Sequence, residues 1–338
     1  MNLGFGLLSG QRRQGSDDWS DAYRETLELA VEAERLGFSS VWTTEHHFVD
    51  DGYMPSLLVV SAAIAAVTTS IEIGTGVLLA PLHDPIRLAE DAATVQLLSD
   101  GRLTLGLGIG WNPIEFGGLR TRLNQRGRGM DEILEILPKA WSGEPFQHTG
   151  RVYELPLLGV RPTPHHPIPV VVGGSAEAAV RRAARSADGF FGNRPVATFV
   201  SQVRWALEEL ERSGRDPAAF RFIHYSVIFP AETEKAGWGE AEEHIRNMEW
   251  KYSDMEASAT RSGPIRFAPP IDREELSRSL HTDALVGSPE LIIERLLNLR
   301  DQAGVPVEFV ARSYFHTLEH ARQRELMQRV AEEIGPHL

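Results

Sequence analysis

The chain has 338 residues, 42% hydrophobic and 24% charged, with no cysteine and a formal net charge of −13. Such a composition describes a folded globular protein with a sizeable core, long enough for one α/β barrel or for two domains, and not a disordered or fibrous chain. The missing cysteine excludes disulfides, thiolate catalysis and Cys-based metal or iron–sulfur sites, and the acidic balance, with no Lys/Arg run longer than a pair, argues against nucleic acid or an anionic membrane surface as partner. A small organic molecule is the expected substrate. Met1–Leu8 is apolar but has no basic segment and is too short to cross a bilayer, so a cytoplasmic protein is expected.

Leu3–Leu8 reads as a first buried strand, and Ser16-Asp17-Asp18 opens a helix from about Trp19 to Leu36 that Gly37 stops. Val41 to Phe48 begins as a second strand, β-branched and aromatic, and ends in Glu45-His46-His47. A helix over Ser56–Thr69, a third strand over Ile71–Leu79, a helix from Asp84-Pro85 to Leu98 and a fourth strand over Leu103–Gly110 follow. The second half keeps the rhythm with longer excursions. It holds a helix over Arg126–Trp141, a small hairpin over Pro145–Leu155, a Pro/His-rich loop over Pro162–Pro169 and a fifth strand over Ile168–Gly174. A helix over Ala176–Ser186, a sixth strand over Gly189–Phe191, a helix over Thr198–Ser213 and a seventh strand over Phe220–Phe229 come next. A helix over Pro289–Ala303, an eighth strand over Val307–Arg312 and a last helix over Leu318–Ile334 complete the chain.

Eight strands alternating with eight principal helices ask for parallel pairing through right-handed crossovers, and favour a single (β/α)₈ TIM barrel domain over residues 1–338. Ala231–Thr282, charged and aromatic at once, breaks the rhythm and reads as an insertion after strand seven of the kind that forms lids.

In a barrel of this kind the active site lies at the carboxyl ends of the strands, which selects the candidates by position. Strand two offers Glu45, His46 and His47, strand three ends near Gly76-Val77, and strand four ends in Gly108, Gly110, Trp111 and Asn112. Strand five offers Gly173, Gly174 and Ser175, and strand eight offers Arg312 and Tyr314. Alternation sends Glu45 and His47 to one face and His46 to the other, which argues against a two-histidine metal site; no metal is expected. The alternative for the cluster is a strand end whose histidines merely cap carbonyls. Val172-Gly173-Gly174-Ser175 reads either as an anion site at a helix N-terminus or as a plain strand-to-helix turn with a capping serine. Gly106, Gly108 and Gly110 fail the dinucleotide spacing because Trp111 stands in the place of its last glycine. They clear one face of the strand, for something flat or for larger barrel neighbours. His83 and His148 have no context that singles them out, His165-His166 between prolines reads as loop rather than ligand, and most of Arg181, Arg182 and Arg185 are expected in solvent, with none assigned to the ligand.

Glu45-His46-His47-Phe48, Ile73-Gly74-Thr75, Pro81 to Pro85, Ser99-Asp100-Gly101-Arg102, Gly108 to Trp111, Val172 to Ser175 and Ala187-Asp188-Gly189 together resemble the bacterial luciferase-like, flavin-dependent monooxygenase superfamily, with the first piece similar to the luciferase branch. The resemblance implies a (β/α)₈ barrel in which His46 corresponds to the catalytic histidine and Glu45 and His47 to its neighbours at the flavin. It puts Gly76-Val77 at a non-proline cis peptide under the isoalloxazine, Gly174-Ser175 at the phosphate-binding turn, and Ala231–Thr282 at the mobile lid.

It also implies a monooxygenase that takes reduced FMN from a separate flavin reductase and uses dioxygen, through a flavin hydroperoxide kept from water, to oxygenate a small organic substrate. In that scheme His46 exchanges a proton at neutral pH and Glu45 orients a ring or stabilises its cation. Relatives pair through their early helices, so a homodimer is expected; the apolar Leu57 to Val67 stretch either serves as its interface or packs on the barrel. Two positions depart from the luciferase pattern: Ile109 stands where an arginine contacts the flavin phosphate, and Gly108 where a reactive cysteine stands. The alternatives are a deazaflavin (coenzyme F420) oxidoreductase that transfers hydride, and a flavin-binding subunit without turnover.

Overall fold

The computed structural model describes residues 3–13, 18–258 and 284–338. Strands β1 (Leu3–Leu8) and β2 (Ser40–Thr43) flank helix α1 (Trp19–Arg35), and α2 (Leu57–Val67) leads to β3 (Glu72–Thr75) and β4 (Leu78–Leu79). Helix α3 (Pro85–Leu98), β5 (Leu103–Gly108), α4 (Pro113–Gly118), α5 (Arg126–Trp141) and the hairpin β6 (Phe146–Thr149) and β7 (Glu154–Leu158) follow. Then come β8 (Val170–Gly173), α6 (Glu177–Ser186), β9 (Gly189–Gly192), α7 (Val196–Arg212), β10 (Arg221–Pro230) and α8 (Glu234–Ser258). The chain ends with β11 (Leu285–Gly287), α9 (Pro289–Ala303), β12 (Glu308–Arg312) and α10 (His320–Arg329).

The strands pair in parallel in the order β1, β2, β3 with β4, β5, β8, β9, β10, β12, and β12 pairs β1 again, so the sheet closes into the expected eight-stranded barrel. Helix starts follow local chemistry. Asp84 accepts hydrogen bonds from the N–H groups of Ile86 (2.9 Å) and Arg87 (3.0 Å) with Pro85 at the first helical position, so α3 begins where free donors find a carboxylate.

The barrel interior is filled by an aromatic stack. Trp42 lies on Phe191 at 4.7 Å between ring centroids, and Phe191 on Tyr225 at 4.8 Å. Glycine on the neighbouring strand makes this possible: a Cβ on Gly74 would stand 2.3 Å from Trp42 Cε3. At the amino end Arg221 donates to Glu308 (2.6 Å), Glu72 (2.9 Å) and Thr104 (3.0 Å), an ion cluster that plugs the floor. Any ligand must therefore enter from the opposite, carboxyl end.

Several details depart from the sequence reading. The third strand is two short pieces, β3 and β4, separated by a cis peptide between Gly76 and Val77, and a second non-proline cis peptide joins Gly6 and Leu7. Thr75 bridges the break, its hydroxyl donating to the Gly106 carbonyl and accepting from the Gly106 N–H, both at 2.8 Å. The short helix α4 and strand β11 were not anticipated, and the second strand stops at Thr43, five residues before Phe48, which turns away with φ of 59°. The Arg102 of the quoted Ser99–Arg102 piece is structural: its guanidinium donates to the carbonyls of Ala65, Thr68 and Ile71 at the end of α2. Helix α8 occupies the first part of the Ala231–Thr282 excursion; residues 259–282 of it, and 14–17 of the loop after β1, lie outside the described residues. Among the described residues no helix is long and apolar enough to cross a membrane.

Candidate functional site

Beyond Thr43 the chain stays extended for a few residues, with the Thr44 N–H on the Leu8 carbonyl (3.0 Å) and the His46 N–H on the Met54 carbonyl (3.3 Å). This carries Glu45 and His46 past the end of the barrel wall. Glu45 is 1% exposed. One of its oxygens pairs with His47 Nε2 (3.1 Å) and His83 Nε2 (3.2 Å), and the other accepts the Leu79 N–H. Burial alone would raise its carboxyl, but the bonds from His47 and His83, the charge of His83 and the Leu79 N–H outweigh it and hold the pKa at about 2. His83, which sequence context left aside, is thus part of the cluster.

Glu45 does not orient His46. That ring's Nδ1 lies 2.9 Å from Glu115 Oε1, and the same oxygen accepts the His47 backbone N–H at 2.9 Å. Glu115 is fully buried on α4, 69 residues further along. With the carboxylate accepting, Nδ1 carries the proton, and Nε2, which has no protein partner among the described residues, is the nitrogen left for exchange. Tyr53, Tyr252 and Trp111 enclose the ring edge-on, at 4.8, 5.4 and 6.0 Å between centroids.

A cavity of about 390 Å³ opens beside His46. Glu45, His46, Gly76, Val77, Gly110, Trp111, Gly173, Gly174 and Ser175 all lie on its wall, so residues from four separate strand ends share one space. His47 and Asn112 are not on that wall: His47 stands behind it on Glu45, and Asn112, 3% exposed, caps α4 by accepting the Ile114 N–H at 3.1 Å. The glycines of β5 and β8 make room for the chain's own kink. A Cβ on Gly108 would meet Val77 Cγ2 at 2.5 Å, one on Gly173 would meet Val77 Cγ1 at 2.7 Å, and one on Gly106 would meet the Thr75 carbonyl at 1.9 Å. What presses on that face is the segment around the cis peptide, which in turn floors the cavity together with Leu7.

On the same wall Ser175 precedes Ala176, the N-cap of α6, and no side chain caps that helix. The Ala179 N–H already meets the Ala176 carbonyl at 2.9 Å, which leaves the N–H groups of Glu177 and Ala178 for an anion, aided by the helix dipole. Arg126, at the start of α5, lines the same space; its Nη1 donates to the Leu123 carbonyl at 2.9 Å, while its buried Nε has no partner among the described residues. A basic group is thus present despite Ile109, brought from seventeen residues downstream rather than from β5. Arg181, Arg182 and Arg185 are engaged in ion pairs with Glu208, Asp131 and Glu209 and point elsewhere. A planar ring with a phosphate tail fits this donor set: an apolar floor at Leu7 and Val77, a histidine, and a guanidinium with a spare Nε together with an uncapped helix, all on one cavity.

A sequence profile of the family described as luciferase-like monooxygenase matches residues 1–305. Among curated relatives the chain is 31% identical over 174 residues to an F420-dependent glucose-6-phosphate dehydrogenase of Amycolatopsis mediterranei (strain U-32), covering 49% of this chain and 52% of that one. It is 30% identical over 144 residues to the oxygenase component of the flavin-dependent trigonelline monooxygenase of Acinetobacter baylyi (strain ATCC 33305 / BD413 / ADP1), covering 42% and 40%. The matches span about half the length of the first of these curated relatives. The crystal structure of monooxygenase RslO1 from Streptomyces bottropensis superposes over 100% of this chain and 99% of that one with a TM-score of 0.83 at 22% identity, a likeness of fold.

Proposed function

The chain belongs to the luciferase-like monooxygenase family, and from that membership we propose that it is an oxidoreductase that binds reduced FMN across the carboxyl end of its barrel and oxygenates a small organic substrate with dioxygen. The observation that carries the reading is that His46, Arg126 and Ser175 line one cavity, whose wall also holds the Gly76-Val77 cis peptide. Arg126, Ser175 and the free N–H groups of α6 would hold the phosphate, and Val77 and Leu7 the underside of the ring. When bound, reduced flavin supplies the electron pair with which dioxygen is activated.

This chain's own residues do the rest. His46 holds and moves a proton at Nε2, because Glu115 occupies Nδ1. Glu45 anchors His47 and His83 behind the site, so that the wall carrying His46 does not shift. Tyr252 of α8, with Tyr53 and Trp111, covers the imidazole and keeps water from it. A separate reductase is the proposed source of reduced FMN, as the words oxygenase component imply for the trigonelline enzyme. The proposed assembly is a homodimer through the early helices, in keeping with Val59 of α2, which is 71% exposed.

The second reading is a deazaflavin oxidoreductase that transfers hydride without oxygen, favoured by the relative named for coenzyme F420. Titrating the purified chain anaerobically with reduced FMN and with reduced F420, then admitting air, separates the two. Tight binding of FMN with substrate-dependent oxygen uptake is the expected result; tight binding of F420 alone would replace the first reading by the second. Binding of FMN without uptake for any substrate would leave a flavin-binding subunit.

A further inference from the structure

Asp51, in the loop after β2, is buried and serves three donors. Its Oδ1 accepts the Tyr53 N–H at 3.3 Å, and its Oδ2 accepts from Gln11 Nε2 at 2.9 Å and pairs with Lys251 Nζ at 2.8 Å. Lys251 is buried as well, with Asp50 Oδ1 at 3.7 Å as a second, longer contact. A desolvated pair of this kind is hard to part, because separating it in place leaves two buried charges uncompensated.

The two partners come from different parts of the barrel rim. Lys251 is on α8, which follows β10, and in the closed sheet β12 and β1 stand between β10 and β2. The earlier part of α8 is fixed on its own side, where Trp238, Ala241 and Ile245 pack with Phe229 and Phe315, and Glu240 pairs with Arg322 at 2.7 Å. The Lys251–Asp51 pair ties the later part of the helix across to the loop after β2.

Both partners adjoin the aromatic groups around His46. Tyr252 follows Lys251 in the chain, and the Tyr53 N–H is held by Asp51. The two tyrosine hydroxyls are 3.1 Å apart, and their rings meet the imidazole edge-on, at 5.4 Å for Tyr252 and 4.8 Å for Tyr53. The Asp51 loop is also fastened to the main chain of His46, whose N–H donates to the Met54 carbonyl at 3.3 Å. The Met54 N–H in turn donates to the Ser9 carbonyl at 2.8 Å. One carboxylate therefore sets both rings against His46, the first through its own loop and the second through an ammonium on α8. The fit is close: the enclosed space beside Tyr53, Lys251 and Tyr252 measures about 10 Å³, room for a single water.

We propose that Asp51 and Lys251 are positioning residues for His46: their buried ion pair draws α8 over the loop after β2 and seats Tyr252 beside Tyr53 on the imidazole, shielding it from water. The proposal rests on His46 being the proton-exchanging group of the reading above. Neither Asp51 nor Lys251 lines the large cavity, so both act through the tyrosines and not on substrate or cofactor.

Deuterium exchange at the Cε1–H of individual histidines of the full chain, read by mass spectrometry after digestion, tests this with no cofactor present. That carbon exchanges faster the more freely water reaches the ring. In the native chain His46 is expected to exchange far more slowly than the exposed His165. Lys251→Met and Asp51→Asn should each speed exchange at His46 several-fold and leave His224, buried on β10 against Phe199, unchanged, as local opening of α8 requires. Lys251→Arg, which keeps the charge, should retain most of the protection. Fast exchange of native His46, unchanged protection in both variants, an equal rise at His224, or Lys251→Arg behaving like Lys251→Met overturns the proposal. Should either single variant fail to fold, the double variant Asp51→Asn/Lys251→Met replaces it, since it leaves no buried charge without a counterion. His46 is expected to lose protection there too, and native protection in it overturns the proposal as well. Binding of reduced FMN or F420 is measured separately, and a chain that binds neither sinks the cofactor reading alone.

Discussion

Glu115 Oε1 accepts from His46 Nδ1 and from the His47 backbone N–H, each at 2.9 Å, so one fully buried carboxylate oxygen ties the imidazole to the main chain beside it. The ring can neither rotate nor exchange its proton at Nδ1 without breaking a charge-assisted bond in a site of low dielectric. The consequences for the chemistry are separable by mutation.

Replacing His46 by Asn removes the exchangeable proton while leaving the phosphate end untouched. FMN affinity should stay within about threefold, and substrate-coupled turnover should fall by about 10²–10⁴, the range of a lost proton-transfer group. Steady-state oxygen uptake against product formation reads this directly. Unchanged coupling would remove His46 from the mechanism.

Glu115 acts through His46. Glu115→Ala frees the ring and should lower kcat by about tenfold or more with KM little changed, part of the full proton-transfer contribution. Glu115→Gln keeps an acceptor oxygen for both N–H groups and should recover most of the loss. If Gln and Ala behave alike, the carboxyl oxygen is not what holds the ring.

Arg126 is expected to recognise a phosphate and nothing else of the cofactor. Arg126→Met should weaken FMN by about tenfold to a hundredfold, the worth of a charge-assisted bond, while riboflavin affinity stays as it was. Fluorescence titration with the two flavins measures the difference. A parallel loss for riboflavin would move Arg126 out of the phosphate site.

Glu45 makes stability depend on acid. Its folded pKa of about 2 lies below the ordinary 4.5, so its contribution is present in full above 4.5 and is lost as pH falls from there toward 2. The gap corresponds to about 3 kcal/mol. Denaturant melts of the protein and of Glu45→Gln should therefore differ most at neutral pH and converge on acidification. Glu34, held at about 2 by N–H groups of Thr69, Ser70 and Ile71 against the effect of burial, adds acid sensitivity to both and cancels in the difference. Curves that stay parallel from pH 7 to pH 3 would refute the assignment.

Much of this arrangement was readable in one dimension. Strand and helix periodicity is local, set by neighbours a few residues apart, so the alternation of elements and hence a closed parallel barrel could be read from pattern, and with it the end at which Glu45, His46, Gly174 and Ser175 emerge. The kink at Gly76-Val77 came only through likeness to a family, because nothing in its local spacing marks a cis bond. The pairs that give the site its chemistry were not readable. His46 meets Glu115 across 69 residues, Glu45 meets His83 across 38, and Tyr53 meets Tyr252 across 199.

The amino-acid order by itself thus determined the barrel and which strand ends face the cavity, since both follow from the pattern of side chains along each segment. Which nitrogen of His46 is left for exchange, and that Arg126 joins Ser175 on the wall of one cavity, were decided by tertiary structure. Hydrogen bonds and ion pairs form over about 3 Å, and only closure of the barrel brings loops from distant strands within that reach.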